Sequence, residues 1–204
     1  MRAEVHERDR TMMFAIKAEV RDERDMGRYL IAPIAVTLAA LLLMGQAQPD
    51  DRTICERSSG GPAIEACTRA VSSGAFTGLE LAKLHTNRGV ELKQRGDLDA
   101  ALNDYDESIR LNPRDFFAFN NRANVRRDKG DISGAIADYS EAVRLEPAYA
   151  AAYTSRGLVH ERAGDLEMAR ESFNAALSAP ANKFRNSPGA HQIARERQRV
   201  LSAN

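Results

Sequence analysis

Asn120, Asn121 and Asn124 bring three side-chain amides close together, and each offers both a hydrogen-bond donor and an acceptor. That is the chemistry that brackets an extended peptide backbone. The other reactive groups are the two cysteines, Cys55 and Cys67. Their thiols either oxidise to a bond in an exported chain or stay reduced and pack as small hydrophobes. Patterns for turnover do not appear. The histidines are His6, His85, His160 and His191, and no two share a metal-binding spacing. No serine has a Gly-x-Ser-x-Gly setting, and Gly60-Gly61-Pro62 is a turn too short to cradle phosphates. No enzyme, cofactor or metal is expected. His85 reads as a packed side chain, and His160 and Glu161, beside Arg162, as an exposed charged face.

The elements that position these residues recur. Gly89, Ala123 and Gly157 stand 34 residues apart, as do Gly96, Gly130 and Gly164, then Asp97, Asp131 and Asp165, then Ala101, Ala135 and Ala169. Tyr105, Tyr139 and Phe173 follow, with Pro113 and Pro147 closing the first two units and Pro180 arriving one residue early in the third. Each unit breaks at Gly-Asp, where glycine takes the left-handed turn that ends one helix and aspartate caps the next. The unit is therefore a helical hairpin. Leu98, Ala101, Leu102, Tyr105 and Ile109 share one face of its second helix. One hairpin cannot bury such a face, so hairpins must stack into a solenoid.

This period and these columns resemble the tetratricopeptide repeat (TPR) family. The resemblance implies an all-α TPR-type helical-hairpin solenoid, a right-handed superhelix, with repeats at 82–115, 116–149 and 150–183. One departure is systematic: Arg88, Arg122 and Arg156 occupy the family's apolar seventh position. Their guanidinium groups are expected to reach Asp104 and Asp138, with Ser172 in the third repeat. The resemblance also implies a concave groove lined by the first helices. The first repeat offers it Lys83, Thr86, Asn87, Val90, Lys93 and Gln94. The expected ligand-binding set is Phe117, Asn120, Asn121, Asn124, Arg127 and Thr154, with Asn121 and Asn87 equally readable as packing between hairpins. A chaperone-tail clamp is not expected, because Thr86 and Val90, then Ala151 and Ser155, replace its charged and amide positions.

Residues 48–81 hold a degenerate first hairpin and linker, in which Ala63 to Val71 lies over Ala135 to Val143. Asp51 to Arg57 would be its first helix, so Cys55 and Cys67 would face each other as a disulfide. Residues 184–204 read as a capping helix and tail, with Ala190, Ile193, Ala194, Arg197, Val200 and Leu201 on its packed stripe. Residues 26–47 have the parts of a signal peptide, an apolar run from Tyr29 to Met44 before Gly45-Gln46-Ala47. Residues 1–25 are then a non-native or cytoplasmic extension. The competing reading is a signal anchor that leaves the repeats periplasmic at the inner membrane. The 29 basic and 29 acidic residues balance, which argues against nucleic acid as a partner. The expected function is a periplasmic or secreted, non-enzymatic scaffold for an unknown protein or peptide. The alternatives are self-assembly into a homo-oligomer and binding of a small ligand or envelope polymer.

Overall fold

The computed structural model describes residues 50–180, 184 and 187–203, and the expected extension and leader lie outside them. The described residues form helices α1 (Asp51–Arg57), α2 (Gly61–Ser72), α3 (Gly78–Arg95), α4 (Leu98–Leu111), α5 (Phe116–Asp128), α6 (Ile132–Leu145), α7 (Ala150–Ala163), α8 (Leu166–Ser178) and α9 (Ser187–Ala203), with no strand among them. Consecutive helices pair from α1–α2 to α7–α8, and each hairpin packs on the next. First helices also touch one another, α1 with α3, α3 with α5 and α5 with α7. The expected solenoid is present.

Gly-Asp ends the first helices α3, α5 and α7 in the same way. Gly130 has φ of 86°. Its N–H donates to the Arg127 carbonyl at 3.0 Å and the Asp131 N–H to that of Arg126 at 2.9 Å, a paired stop that only a left-handed residue permits. The Asp131 carboxylate then accepts from the Gly134 N–H at 2.9 Å, and Asp165 accepts from Met168 at 3.4 Å. Asp97 departs from the expected cap. Arg95, two residues back, draws its carboxylate away, and no side-chain cap bond forms.

The hairpins close through the small-residue column. Tyr105, Tyr139 and Phe173 are fully buried, and a Cβ at Gly89 would lie 2.8 Å from the Tyr105 ring. Beside this core runs a ladder of arginines. Arg88 donates from Nε and Nη2 to the Asp104 carboxylate at 2.8 and 2.7 Å. Arg122 does the same to Asp138 at 2.9 and 2.7 Å, and Arg156 meets Ser172 Oγ at 3.1 Å. Each also reaches back to the preceding hairpin: Arg88 to Thr68 at 3.3 Å, Arg122 to Asp106 at 2.6 Å, Arg156 to Ser140 at 3.3 Å. The ladder thus staples each hairpin internally and to its neighbour. Fourth-position rings line it: Phe119 and Tyr153 face the guanidinium carbons at 5.4 and 5.5 Å, and His85 Nδ1 bonds Asp104 at 2.8 Å.

In the degenerate hairpin the charges are reversed, with Arg69 on α2 donating to Asp51 on α1 at 2.6 Å. The Cys55 and Cys67 sulfur atoms lie 2.09 Å apart between these helices. At the other end, α9 packs on α7 and α8 and buries Ala190, Ala194 and Leu201. Ile193 and Val200, expected on the packed stripe, remain 44% and 41% exposed, and His191 is buried instead. Arg197 packs as expected, pairing with Glu161 of α7, whereas Gln198, outside the expected stripe, reaches Asn174 of α8 at 2.8 Å. His160 and Glu161 are likewise not an exposed face: His160 is buried, with Nδ1 3.3 Å from Asp165.

Candidate functional site

An open cleft of about 700 Å³ lies where α1, α3 and α5 converge. Arg52 and Glu56 supply its α1 wall, Lys83, Asn87 and Val90 its α3 wall, and Phe117 and Asn121 its α5 wall. Asn112 and Arg114, in the turn between α4 and α5, close one end. Helical spacing explains the pairing of walls: Asn87 and Asn121 occupy the same column one repeat apart. The start of α5 is held by Asp115, whose carboxylate accepts from the Phe117 and Ala118 N–H groups at 3.0 and 3.2 Å. That cap presents Phe117 outward.

Among the expected ligand-binding residues, Phe117 and Asn121 line this cleft and the others do not. Phe117 is 43% exposed. Asn120 is buried, with no hydrogen-bond partner for its Oδ1 among the described residues. Asn124 spends its Oδ1 on the Tyr139 hydroxyl, at 2.7 Å. Arg127 donates to Asp128 at 2.8 Å. Thr154 is buried beneath α9, donating to the Ala190 carbonyl at 3.2 Å. Lys83, Asn87 and Val90 stood in the first repeat's groove column. Arg52 and Glu56 had no column to reveal them, because α1 lies outside the repeat register, and Arg114 stands in the turn that ends the first repeat, outside the groove columns.

The ninth position sorts itself against the aromatic column. Asn124 faces Tyr139, whereas Val90 packs in one cluster with Tyr105, and Leu158 in one with Phe173. The Tyr105 hydroxyl consequently has no partner among the described residues, and burial pushes its pKa well up; the same burial pushes Tyr139 up to about 12. Val90→Asn or Tyr105→Phe is expected to raise stability by about 1 kcal/mol, and Tyr139→Phe to lower it by a similar amount. Denaturant titration checks the opposite signs.

Rings also cluster at the edge of the cleft. Phe116, Phe117, Tyr149 and Phe184 pack with centroids 4.1 to 6.1 Å apart, which places Phe184, from the connection before α9, on the start of α5. Among the described residues, no group of acids, histidines and cysteines could hold a metal ion, and no helix is long and apolar enough to cross a membrane.

Known proteins share this architecture. Tetratricopeptide repeat profiles match residues 82–115 and 150–183, and a TPR repeat profile matches 123–164. Among solved structures, the first TPR of Spaghetti (RPAP3), bound to an HSP90 peptide, is 23% identical with a TM-score of 0.54, covering 64% of this chain and 97% of that one. The crystal structure of MamA is 25% identical with a TM-score of 0.53, covering 57% and 66%. The TPR2B domain of yeast Sti1, in complex with pHsp70, is 23% identical with a TM-score of 0.52, covering 58% and 97%. No curated protein matches the chain significantly. Three profile matches, over hairpins with one shared stop and one shared small-residue column, show that residues 82–115 and 123–183 of this chain are tetratricopeptide repeats.

Proposed function

We propose that the chain is a non-enzymatic scaffold that holds an extended segment of a partner protein in the cleft between α1, α3 and α5. The observation that carries this is the pair Asn87 and Asn121. Both are half-buried on the cleft wall, and neither side-chain amide makes a hydrogen bond among the described residues. Two such amides on adjacent first helices match the donors and acceptors of an extended backbone. The RPAP3 domain was solved bound to an HSP90 peptide and the Sti1 domain in complex with pHsp70, but at 23% identity they share the fold alone. Thr86 and Val90 do not reproduce a chaperone-tail clamp. A photo-crosslinking residue at Asn121 is expected to capture one recurrent partner in cells, whereas the same residue at Ala137, exposed on α6, captures none. Equal capture at both positions would remove the cleft from the function.

We place this scaffold outside the cytoplasm. The leader at 26–47 supports that setting, and an oxidising compartment would join Cys55 to Cys67. The mature chain is expected to begin at Gln48 and to resist alkylation until reduced; an anchored chain would retain residues 26–47. Losing the bond would cost about 3 kcal/mol for so short a loop. A second reading, self-association, draws on exposed Ile193 and Val200 of α9. Light scattering that shows a dimer broken by Ile193→Asp would favour it.

A further inference from the structure

The charges around the cleft do not cancel locally. Arg52 is held by Glu56 at 2.9 Å and Glu80 at 2.7 Å, which occupies Glu56. Asp115 is spent on the N-terminus of α5. Lys83 and Arg114 are exposed, and neither makes an ion pair among the described residues. Arg88, Arg122 and Arg144, by contrast, are each matched by an acid. Two cations on one cleft, with the neighbouring acids engaged, leave a positive site that a ligand carboxylate would neutralise. The apolar part of the same wall has its own chemistry. Phe117 already packs edge-on with Tyr149 and Phe184, at 5.3 and 6.1 Å, and its remaining exposed ring can accept another aromatic edge.

We infer that the cleft takes an extended protein segment presenting a carboxylate next to an aromatic residue, with the acid on Lys83 and Arg114 and the ring on Phe117. Asn87 and Asn121 hold the backbone between them. This rests on the proposal that the cleft is a docking surface, and it adds which segments dock there. Acidity sets selectivity here, since long-range attraction speeds encounter and disfavours basic segments. The interaction weakens with salt, because both cations are exposed.

The test uses the full chain and four fluorescein-labelled octapeptides of Gly and Ser with central Phe-Asp, Phe-Asn, Ala-Asp or Phe-Lys, read by fluorescence anisotropy. Phe-Asp is expected to bind best. The double variant Lys83→Ala/Arg114→Ala should bind it about tenfold more weakly and lose the preference for Phe-Asp over Phe-Asn. Phe117→Ala should weaken Phe-Asp and Phe-Asn alike, and Lys129→Ala, whose partner is Asp99, should change neither. Equal binding of Phe-Asp, Phe-Asn and Phe-Lys, lost on Asn121→Ala, would overturn the acidic selectivity and leave the docking cleft standing. Failure of all four peptides at millimolar concentration would overturn both.

Discussion

Asp138→Ala is expected to lower the unfolding free energy by about 3–5 kcal/mol, because a buried charge left without its counter-ion is costly. Asp138 is 3% exposed and accepts from Arg122 twice and from Arg126 Nη1 at 2.8 Å. Asp106 remains on Arg122 but is exposed, and such a surface pair contributes about 1 kcal/mol or less. The third repeat supplies the control. Among the described residues Arg156 donates to Ser172 and Ser140 and to no acid, and burial lowers its pKa. Ser172→Asp should therefore complete the ladder and raise stability by about 1 kcal/mol. Asp104 adds a pH signature. Burial pushes its carboxyl up, but hydrogen bonds from Arg88 and His85 outweigh burial and hold it below the usual carboxylate range. A folded-state pKa below the unfolded value contributes stability that is present above about pH 4 and lost as pH falls through the folded pKa. Denaturant midpoints should fall on acidification below that point, and Asp104→Asn should flatten the slope. A fall on Ser172→Asp, or an unchanged midpoint in Asp138→Ala, would show that the ladder is not a stabilising element.

Phe173→Ala is expected to cost about 3–5 kcal/mol and to do so locally. The ring is fully buried with Ala169, Ala176, Ala194 and Leu201, so it joins α8 to α9. It also closes α7 onto α8, since a Cβ at Gly157 would lie 2.6 Å from it; Gly157→Ala should cost about 1–3 kcal/mol by overpacking. In a solenoid each hairpin is stabilised by itself and its neighbours. Hydrogen exchange should therefore show α7, α8 and α9 losing protection while α3 and α4 keep theirs. Uniform loss across all helices would mean that the stack unfolds as one unit.

Features that repeat, or that bind close in sequence, were legible beforehand. The Gly-Asp stop depends on local backbone geometry, and the arginine ladder on a spacing of 16 residues within a hairpin. Where an unrelated neighbour intervened, the expectation shifted. Asp97 was expected to cap α4, but Arg95 takes its carboxylate. Thr154 shares a column with Asn120, yet α9 covers it. Asn124 was assigned to the groove, but the Tyr139 hydroxyl sits within hydrogen-bond reach across the same hairpin. Each shift comes from a contact whose partner lies outside the column being read.

The sequence by itself determined the hairpins, their stops and their small-residue contacts, because each depends on residues at a constant separation along the chain. Tertiary structure alone decided which surface stayed open. The apolar flank of a terminal hairpin is covered by whatever element packs there, and neither α1 nor α9 keeps the repeat register. At one end α1 leaves a charged wall beside Lys83 and Asn87; at the other, α9 closes over Thr154.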